Sequence, residues 1–444
     1  MTQYSWTVIG AGPAGIAAVG RLLDHGIVGE QIAWIDPEFG AGDFGTKWRA
    51  VPSNTRVELF LDYLTASPSF RFGQAPAFEL NNFDPEQTCP LGVVAEPLVW
   101  ISQHLCQRVR AFRAIATELV LANRQWTITT QHETITSKNV ILAVGSVPKK
   151  LSYVELDEIP IETALDPAKL AQLPLDGATV GVFGSSHSAM IALPNLLNTP
   201  VKNVINFYRS PLKYAVDFDD WTLFDDTGLK GQAADWAREN IDGTYPRRLG
   251  RCSVGDPEFE KTLQMCDHIV YTVGFERRHL PLTPQWGSLE YDPTNGILAP
   301  GLFGVGIAFP EYWIDPLGAG QYRVGLHKFM QRLDTALPLW LAAPGGRCRC
   351  DSTGLGSRQP AAFVHPPRSP EGHDADSDPA LARRAGVPWP DRRPRPACSS
   401  PQGPHRPGPQ RAPLPRTTIP APDSPVRSRR PGRCATPTAH RGFR

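Results

Sequence analysis

Between Tyr4 and Asp36 the apolar positions change spacing twice. Tyr4-Ser-Trp-Thr-Val-Ile is an apolar run that stops at the cluster Gly10-Ala-Gly12-Pro-Ala-Gly15. Ile16, Val19 and Leu23 then recur at helical spacing, and Gln31-Ile-Ala-Trp-Ile-Asp36 is a second apolar run ending in an acid. The spacing predicts a helix over Ala14 to His25, stopped by Gly26, between two strands: a βαβ unit.

Further along, Glu96 to about Arg110 reads as a helix, with Leu98, Ile101, Leu105 and Val109 on one face. Short alternating runs, Ile115 to Leu121, Trp126 to Thr130 and Thr134 to Thr136, predict a small antiparallel meander. Asn139-Val-Ile-Leu-Ala-Val-Gly145 is apolar throughout, as a strand covered on both faces must be. The opening theme then recurs: Ala178-Thr-Val-Gly-Val-Phe-Gly184-Ser-Ser186-His-Ser188-Ala189 is a strand and small-residue turn, and Val204-Ile-Asn-Phe-Tyr-Arg209 is its partner strand. Pro194 is expected to kink or shorten the helix between them.

Helices are also predicted over Gln232 to Ile241 and Tyr322 to Asp334, and buried strands ending at glycine over Cys266 to Gly274 and Gly301 to Gly306. Arg247, Arg248 and Arg251 read as a solvated charged loop, and His268 as the start of a strand without a catalytic role. From Ala343 to Arg444 the periodicity ends. Pro, Arg, Gly and Ser dominate there, and Lys, Asn, Tyr and Met are absent. Such a stretch cannot bury enough apolar area to offset its ordering entropy, so a disordered tail is expected. Its bias toward residues with G/C-rich codons is what a shifted reading frame would leave.

Composition adds exclusions. A net charge of +1 with 20% charged residues offers no basic excess for nucleic acid, and no apolar run reaches the roughly 18 residues of a membrane span. With no basic region ahead of an apolar core at the amino terminus, a cytoplasmic location is expected. The eight cysteines contain no Cys-x-x-Cys pair.

The glycine cluster has a chemistry. Gly10 permits the sharp turn, Gly12 lets backbone approach a pyrophosphate, and Gly15 lets helix and strand pack closely, while the amides around Pro13 and Ala14 face the phosphates. Asp36, about twenty residues on, is placed to accept from both ribose hydroxyls and to repel a 2′-phosphate. At the second turn Gly184, Ser186 and Ser188 occupy the phosphate-facing positions. The partner strand there ends in Arg209 in place of an acid, which favours a 2′-phosphate and hence NADPH over NADH.

These two sites, the strand-to-glycine segments ending at Gly145 and Gly274, and the closing Gly301 to Ala308 resemble, in this order, the two-dinucleotide-binding-domain flavoproteins, which include the pyridine nucleotide-disulfide oxidoreductases and the flavin-containing monooxygenases. The resemblance covers Ser5 to Leu341. It implies an α/β fold of two Rossmann-like FAD/NAD(P)-binding domains, the second inserted in the first: residues 1–150 and 280–342 for FAD, 160–279 for NADPH, and a tail over 343–444. It also implies that Gly10, Gly12, Gly15, Asp36, Gly145 and Gly306 serve FAD, and that Gly184, Ser186, Ser188, Arg209 and Gly274 serve NADPH.

The disulfide reductases of that family carry a cysteine pair that this chain lacks. Gly45-Thr-Lys-Trp48 and Ser53-Asn54-Thr55 resemble instead the Gly-Gly-x-Trp and asparagine segments of the flavin-containing monooxygenases, which implies that Trp48 lies at the cofactor and Asn54 near its reactive face. The Phe-x-Gly-x-x-x-His fingerprint of that branch does not occur in Leu151 to Ala178. The resulting expectation is an FAD enzyme reduced by NADPH that acts on a small-molecule substrate or electron acceptor. An NAD(P)H oxidase or quinone-type reductase, and a non-catalytic nucleotide-binding protein, are the alternatives.

Overall fold

The computed structural model describes residues 3–151, 156–218 and 220–342; the expected tail over 343–444 lies outside the described residues. A mixed eight-stranded sheet and a parallel five-stranded sheet form the scaffold. The first begins with β1 (Gln3–Ile9), β2 (Ile32–Ile35), β3 (Arg110–Phe112) and β4 (Thr134–Leu142), in the spatial order β4-β1-β2-β3. The second holds β5 (Asp157–Glu158), β6 (Thr179–Phe183), β7 (Asn203–Tyr208), β8 (Leu249–Ser253) and β9 (His268–Tyr271), in the order β5-β9-β6-β7-β8. The chain then returns to the first sheet with β10 (Ile297–Ala299) and β11 (Leu302–Gly304), the latter parallel to β4.

In the first sheet, helix α1 (Pro13–Asp24) crosses from β1 to β2, and α2 (Leu91–Cys106) precedes β3. In the second, α3 (His187–Leu197) links β6 to β7 and α4 (Gly231–Asn240) precedes β8. Helix α5 (Leu326–Ala342) closes the described chain. Its Phe329, Leu333 and Trp340 join the core that contains Ile16, Val19 and Leu22 of α1. Trp340 is fully buried, stacks on Phe303 with ring centroids 4.8 Å apart, and donates its indole N–H to the Asn295 carbonyl at 2.7 Å. Burying so large a ring is worth about 3 kcal/mol when its one polar atom is satisfied in this way.

Some predicted elements change shape. The third meander run and the apolar strand after it are one strand, β4: Lys138 and Asn139 interrupt the apolar pattern without interrupting the pairing with β1. The last helix starts at Leu326 rather than Tyr322, because Gly320–Arg323 pairs with Glu311–Ile314 as a hairpin. The long segment after Asp36 is not all loop; it contains a helix over Gly42–Thr46 and a strand over Pro52–Arg56. That segment leaves the first sheet and reaches the second, where Val51 is buried in its core and Trp48 packs alongside.

Pro194 neither ends nor shortens α3, which runs on to Leu197. Its last carbonyls have no partners within it, and the Arg248 guanidinium donates to Thr199 O at 3.1 Å, to Val201 O at 2.7 Å and to Leu197 O. A cation there also complements the helix dipole. Arg248 is therefore a cap and not part of a solvated loop, while Arg247 beside it is exposed. Arg248→Met is expected to lower unfolding free energy in urea by about 1–3 kcal/mol, whereas Arg247→Met should change it by less than about 0.5 kcal/mol.

Candidate functional site

The first glycine turn is held from below. Gly10 has φ +108 and donates its N–H to Ile35 O at 2.8 Å, and a Cβ on it would come within 2.3 Å of the Ala143 carbonyl oxygen. A Cβ on Gly15 would come within 1.9 Å of Gly10 O, and one on Gly306 within 2.6 Å of the Ala14 Cβ. All three positions are closed to a side chain by close packing. Gly12 is different, since a Cβ there would meet no atom within 4 Å. It opens onto free space, as a backbone cradle for a ligand must. Pro13 occupies the first helical turn, and its carbonyl accepts from the Tyr63 hydroxyl at 2.6 Å.

Asp36 is 9% exposed, and its carboxylate accepts three backbone N–H donors: Ala11 at 2.7 Å, Glu38 at 2.9 Å and Phe39 at 2.7 Å. The sequence reading gave this acid to a ribose; in the structure its oxygens first of all bind the glycine turn to the end of β2. Glu38 is exposed two residues on, facing the same cavity. No spacing rule had singled it out.

That cavity, of about 1820 Å³, lies between the two sheets. From the first sheet's side it is lined by Gly10, Gly12, Pro13, Asp36 and Gly145, and from the connecting segment by Trp48 and Asn54. Ser188 of α3 lines it from the second. Pockets for a single drug-sized ligand measure roughly 300–1,000 Å³, so there is room for more than one group. Trp48 meets Phe275 edge to face at 5.8 Å, Asn54 is exposed, and Gly145, with φ +75, also opens onto free space. Ala14, Gly15, Gly184, Ser186, Arg209, Gly274 and Gly306 lie outside this lining.

The second turn repeats the first with different parts. Gly184, at φ +123, donates to Phe207 O at 2.9 Å, and a Cβ there would come within 2.4 Å of the Thr272 hydroxyl oxygen. Ser186 directly precedes α3, and Gly274, at φ +93, faces open space. Asn206, fully buried in β7, donates to Gly184 O at 2.7 Å and Val182 O at 3.2 Å, and accepts from Arg251 Nε at 3.0 Å. The Arg251 guanidinium lies 4.1 Å from the Tyr208 ring centroid. Asn206 was missed, although an asparagine inside an apolar strand was a legible signal, and Arg251, expected in a solvated loop, stands instead in β8 and bonds Asn206. Arg209 stands exposed at the end of β7.

At the cavity wall formed by α5 and the segment before α4 is a charge network. Lys328, 4% exposed, lies 2.5 Å from Asp225 and 2.8 Å from Asp226, and Lys230 lies 2.7 Å from Asp225. Of the three histidines that face the same space, burial pushes His187 and His327 down to about 4, so these two are neutral near pH 7. Burial also raises the thiols of Cys89, Cys106 and Cys266 to about 11, so none is a thiolate nucleophile at neutral pH. Among the described residues no group of His, Cys, Asp and Glu is placed to hold a metal, and no helix is long and apolar enough to cross a membrane.

No family model matches the chain. Monooxygenase AgnR1 of Paecilomyces divaricatus is 35% identical, with 76% of this chain and 97% of that protein aligned. A flavin monooxygenase from Stenotrophomonas maltophilia superposes with a TM-score of 0.54 at 15% identity, over 77% of this chain and 99% of that one. Bacillithiol disulfide reductase from Staphylococcus aureus superposes with a TM-score of 0.51 at 13% identity, over 77% and 99%. At such identities the two superpositions speak for the fold.

The charge network makes a pH prediction. Burial alone would raise the Asp225 carboxyl, but Lys230 and Lys328 outweigh it and hold it at about 2. Because this lies below the unfolded value of about 4, the contribution to stability is complete above about pH 4 and is lost as the pH falls through about 2. Asp225→Asn should cost about 2 kcal/mol near neutral pH, with the gap to wild type closing on acidification. Urea unfolding of both proteins along a pH series measures it, and a gap constant with pH would contradict it.

Proposed function

Since the chain belongs to the two-dinucleotide-domain flavoprotein oxidoreductases, the family of Monooxygenase AgnR1, we propose that it is an FAD-dependent monooxygenase reduced by NADPH. In this reading residues 1–150 and 280–342 form the FAD domain and residues 160–279 the NADPH domain. The observation that carries it is the shared cavity: the open Gly12 cradle and Asp36 on one side, and Ser188 at the start of α3 on the other, line a single space of about 1820 Å³. Two nucleotides have to meet face to face for hydride to pass between them, and this one space takes lining residues from both sheets.

The residues fit the groups proposed. Gly12 and Gly145 leave their space free, the α1 amides after Gly12 lack helical partners, and the α1 dipole favours a pyrophosphate there. Glu38 and Asp36 offer carboxylates beside the ribose position. Ser186 and Ser188 supply hydroxyls at the start of α3, and Arg209 supplies the exposed cation for a 2′-phosphate. FAD, when bound, supplies the chemistry of accepting a hydride and passing its electrons to oxygen.

The chain's own part is positioning and exclusion. Trp48 and Phe275 wall the cavity, Asn54 offers an amide to a developing oxygen anion, and the neutral imidazoles of His187 and His327 add no charge there. The name of the relative supports oxygen transfer over simple reduction of an acceptor, and the raised thiols argue against a disulfide relay.

The purified protein is expected to be yellow and to bleach when mixed anaerobically with NADPH; a colourless protein that releases no flavin on denaturation overturns the proposal. Oxygenation is separated from oxidase activity by comparing substrate-dependent NADPH consumption with peroxide release, and complete recovery as peroxide with every amine and sulfur compound tested refutes it. Gly12→Ala should fold and lose flavin, whereas Gly15→Ala should not fold, because only the second Cβ has nowhere to go. Arg209→Ala should raise the Michaelis constant for NADPH roughly tenfold or more, the worth of one charged hydrogen bond, and leave that for NADH nearly unchanged.

A further inference from the structure

Resting on the reading of the two turns as nucleotide seats, we propose that His187 is a positioning residue. It pins the first turn of α3 to the strand carrying Asn54, and so fixes the distance between the reductant's seat and the flavin's reactive side.

His187 is the first residue of α3, immediately after Ser186, and it lines the shared cavity. Its Nε2 lies 3.4 Å from the carbonyl oxygen of Pro52, the first residue of the strand Pro52–Arg56. A carbonyl only accepts, so the imidazole proton sits on Nε2. Nδ1 is then a bare lone pair, and it is buried without a partner. A contact of 3.4 Å is long, and such contacts commonly tighten when a ligand closes the site.

The Pro52 carbonyl is two residues from Asn54, and the neighbouring Ser53 ties the same strand together by accepting from the Thr55 N–H at 3.0 Å. On its other side this strand meets α4, where a Cβ on Gly231 would lie 3.5 Å from Ser53 O. The strand is thus held by two helices of the second sheet, by backbone proximity at α4 and by one side-chain donor at α3. Burial, opposed by the Pro52 bond and reinforced by the Lys230 cation, keeps the ring neutral, so the donor does not acquire a charge near neutral pH.

The test uses full-length flavin-loaded protein in rapid anaerobic mixing with NADPH. His187→Leu should slow the limiting rate of flavin bleaching by roughly tenfold, since a misplacement of about 1 Å is enough to do so, while the half-saturating NADPH concentration changes little. His187→Gln, which restores an N–H donor, should recover most of the rate. In flavin-free protein the amides of residues 53–56 and 187–191 should exchange hydrogen faster in His187→Leu and regain protection in His187→Gln.

A wild-type limiting rate in His187→Leu, or equal losses in the Leu and Gln variants, overturns the inference. If His187→Leu does not fold, His187→Ala carries the same comparison without asking for new space. Wild-type protein that holds flavin but is not bleached by NADPH defeats the underlying reading instead.

Discussion

The Asp36 carboxylate is buried at the end of β2 and has to find N–H donors where little water reaches. Those it finds, on Ala11, Glu38 and Phe39, join the turn after β1 to the turn after β2. With that joint made, Gly10 must run beside Ala143 and Gly15 beside Gly10, and neither has room for a Cβ. The crowding below leaves the upper side, at Gly12, empty. The open space at Gly12, the proposed nucleotide seat, is thus a by-product of satisfying one buried carboxylate with backbone amides, which is among the stronger ways to fix a loop.

The second sheet reaches the same turn by other means. A neutral side chain, Asn206, replaces the carboxylate as the anchor, bridging Gly184 O and Val182 O and steadied by Arg251. It can do so because the amide offers donors to carbonyls, where a carboxylate offers acceptors to amides. The first turn has such a donor as well, the Trp34 indole N–H to Gly10 O at 2.9 Å, so the two turns differ in the carboxylate that the second lacks, and the end of β7 is left free to carry Arg209.

What was legible from sequence followed from local constraint. Strand, glycine turn, helix and strand could be read twice because each feature acts within a few residues, and the belonging of the two halves to one flavoprotein family followed from their order. The network of Asp225, Asp226, Lys230 and Lys328 was not legible, since about a hundred residues separate its acids from Lys328 and no periodicity marks the meeting. The capping of the α3 end by Arg248 was hidden for a similar reason, since Leu197 and Arg248 lie 51 residues apart. The role of Asp36 as backbone anchor was half visible. Its position could be read, but the donors that occupy it depend on how tightly two turns approach.

The placement of β10, β11 and α5 has a consequence for how the chain acquires its shape. The first sheet needs β11 beside β4, and its core needs Trp340 on Phe303, yet both come after the whole of the second sheet in the chain. The second sheet's strands, by contrast, lie within Asp157 to Tyr271, and its core draws only Val51, with Trp48 and Leu91 alongside, from earlier in the chain. Closing the first unit requires a long loop to be drawn together, which costs entropy and time. During synthesis all strands of the inserted unit emerge before the first unit has its last strand and helix, the reverse of a simple amino-to-carboxyl order of domains. The Gly12 turn therefore belongs to a unit that lacks part of its sheet and core until α5 has been made.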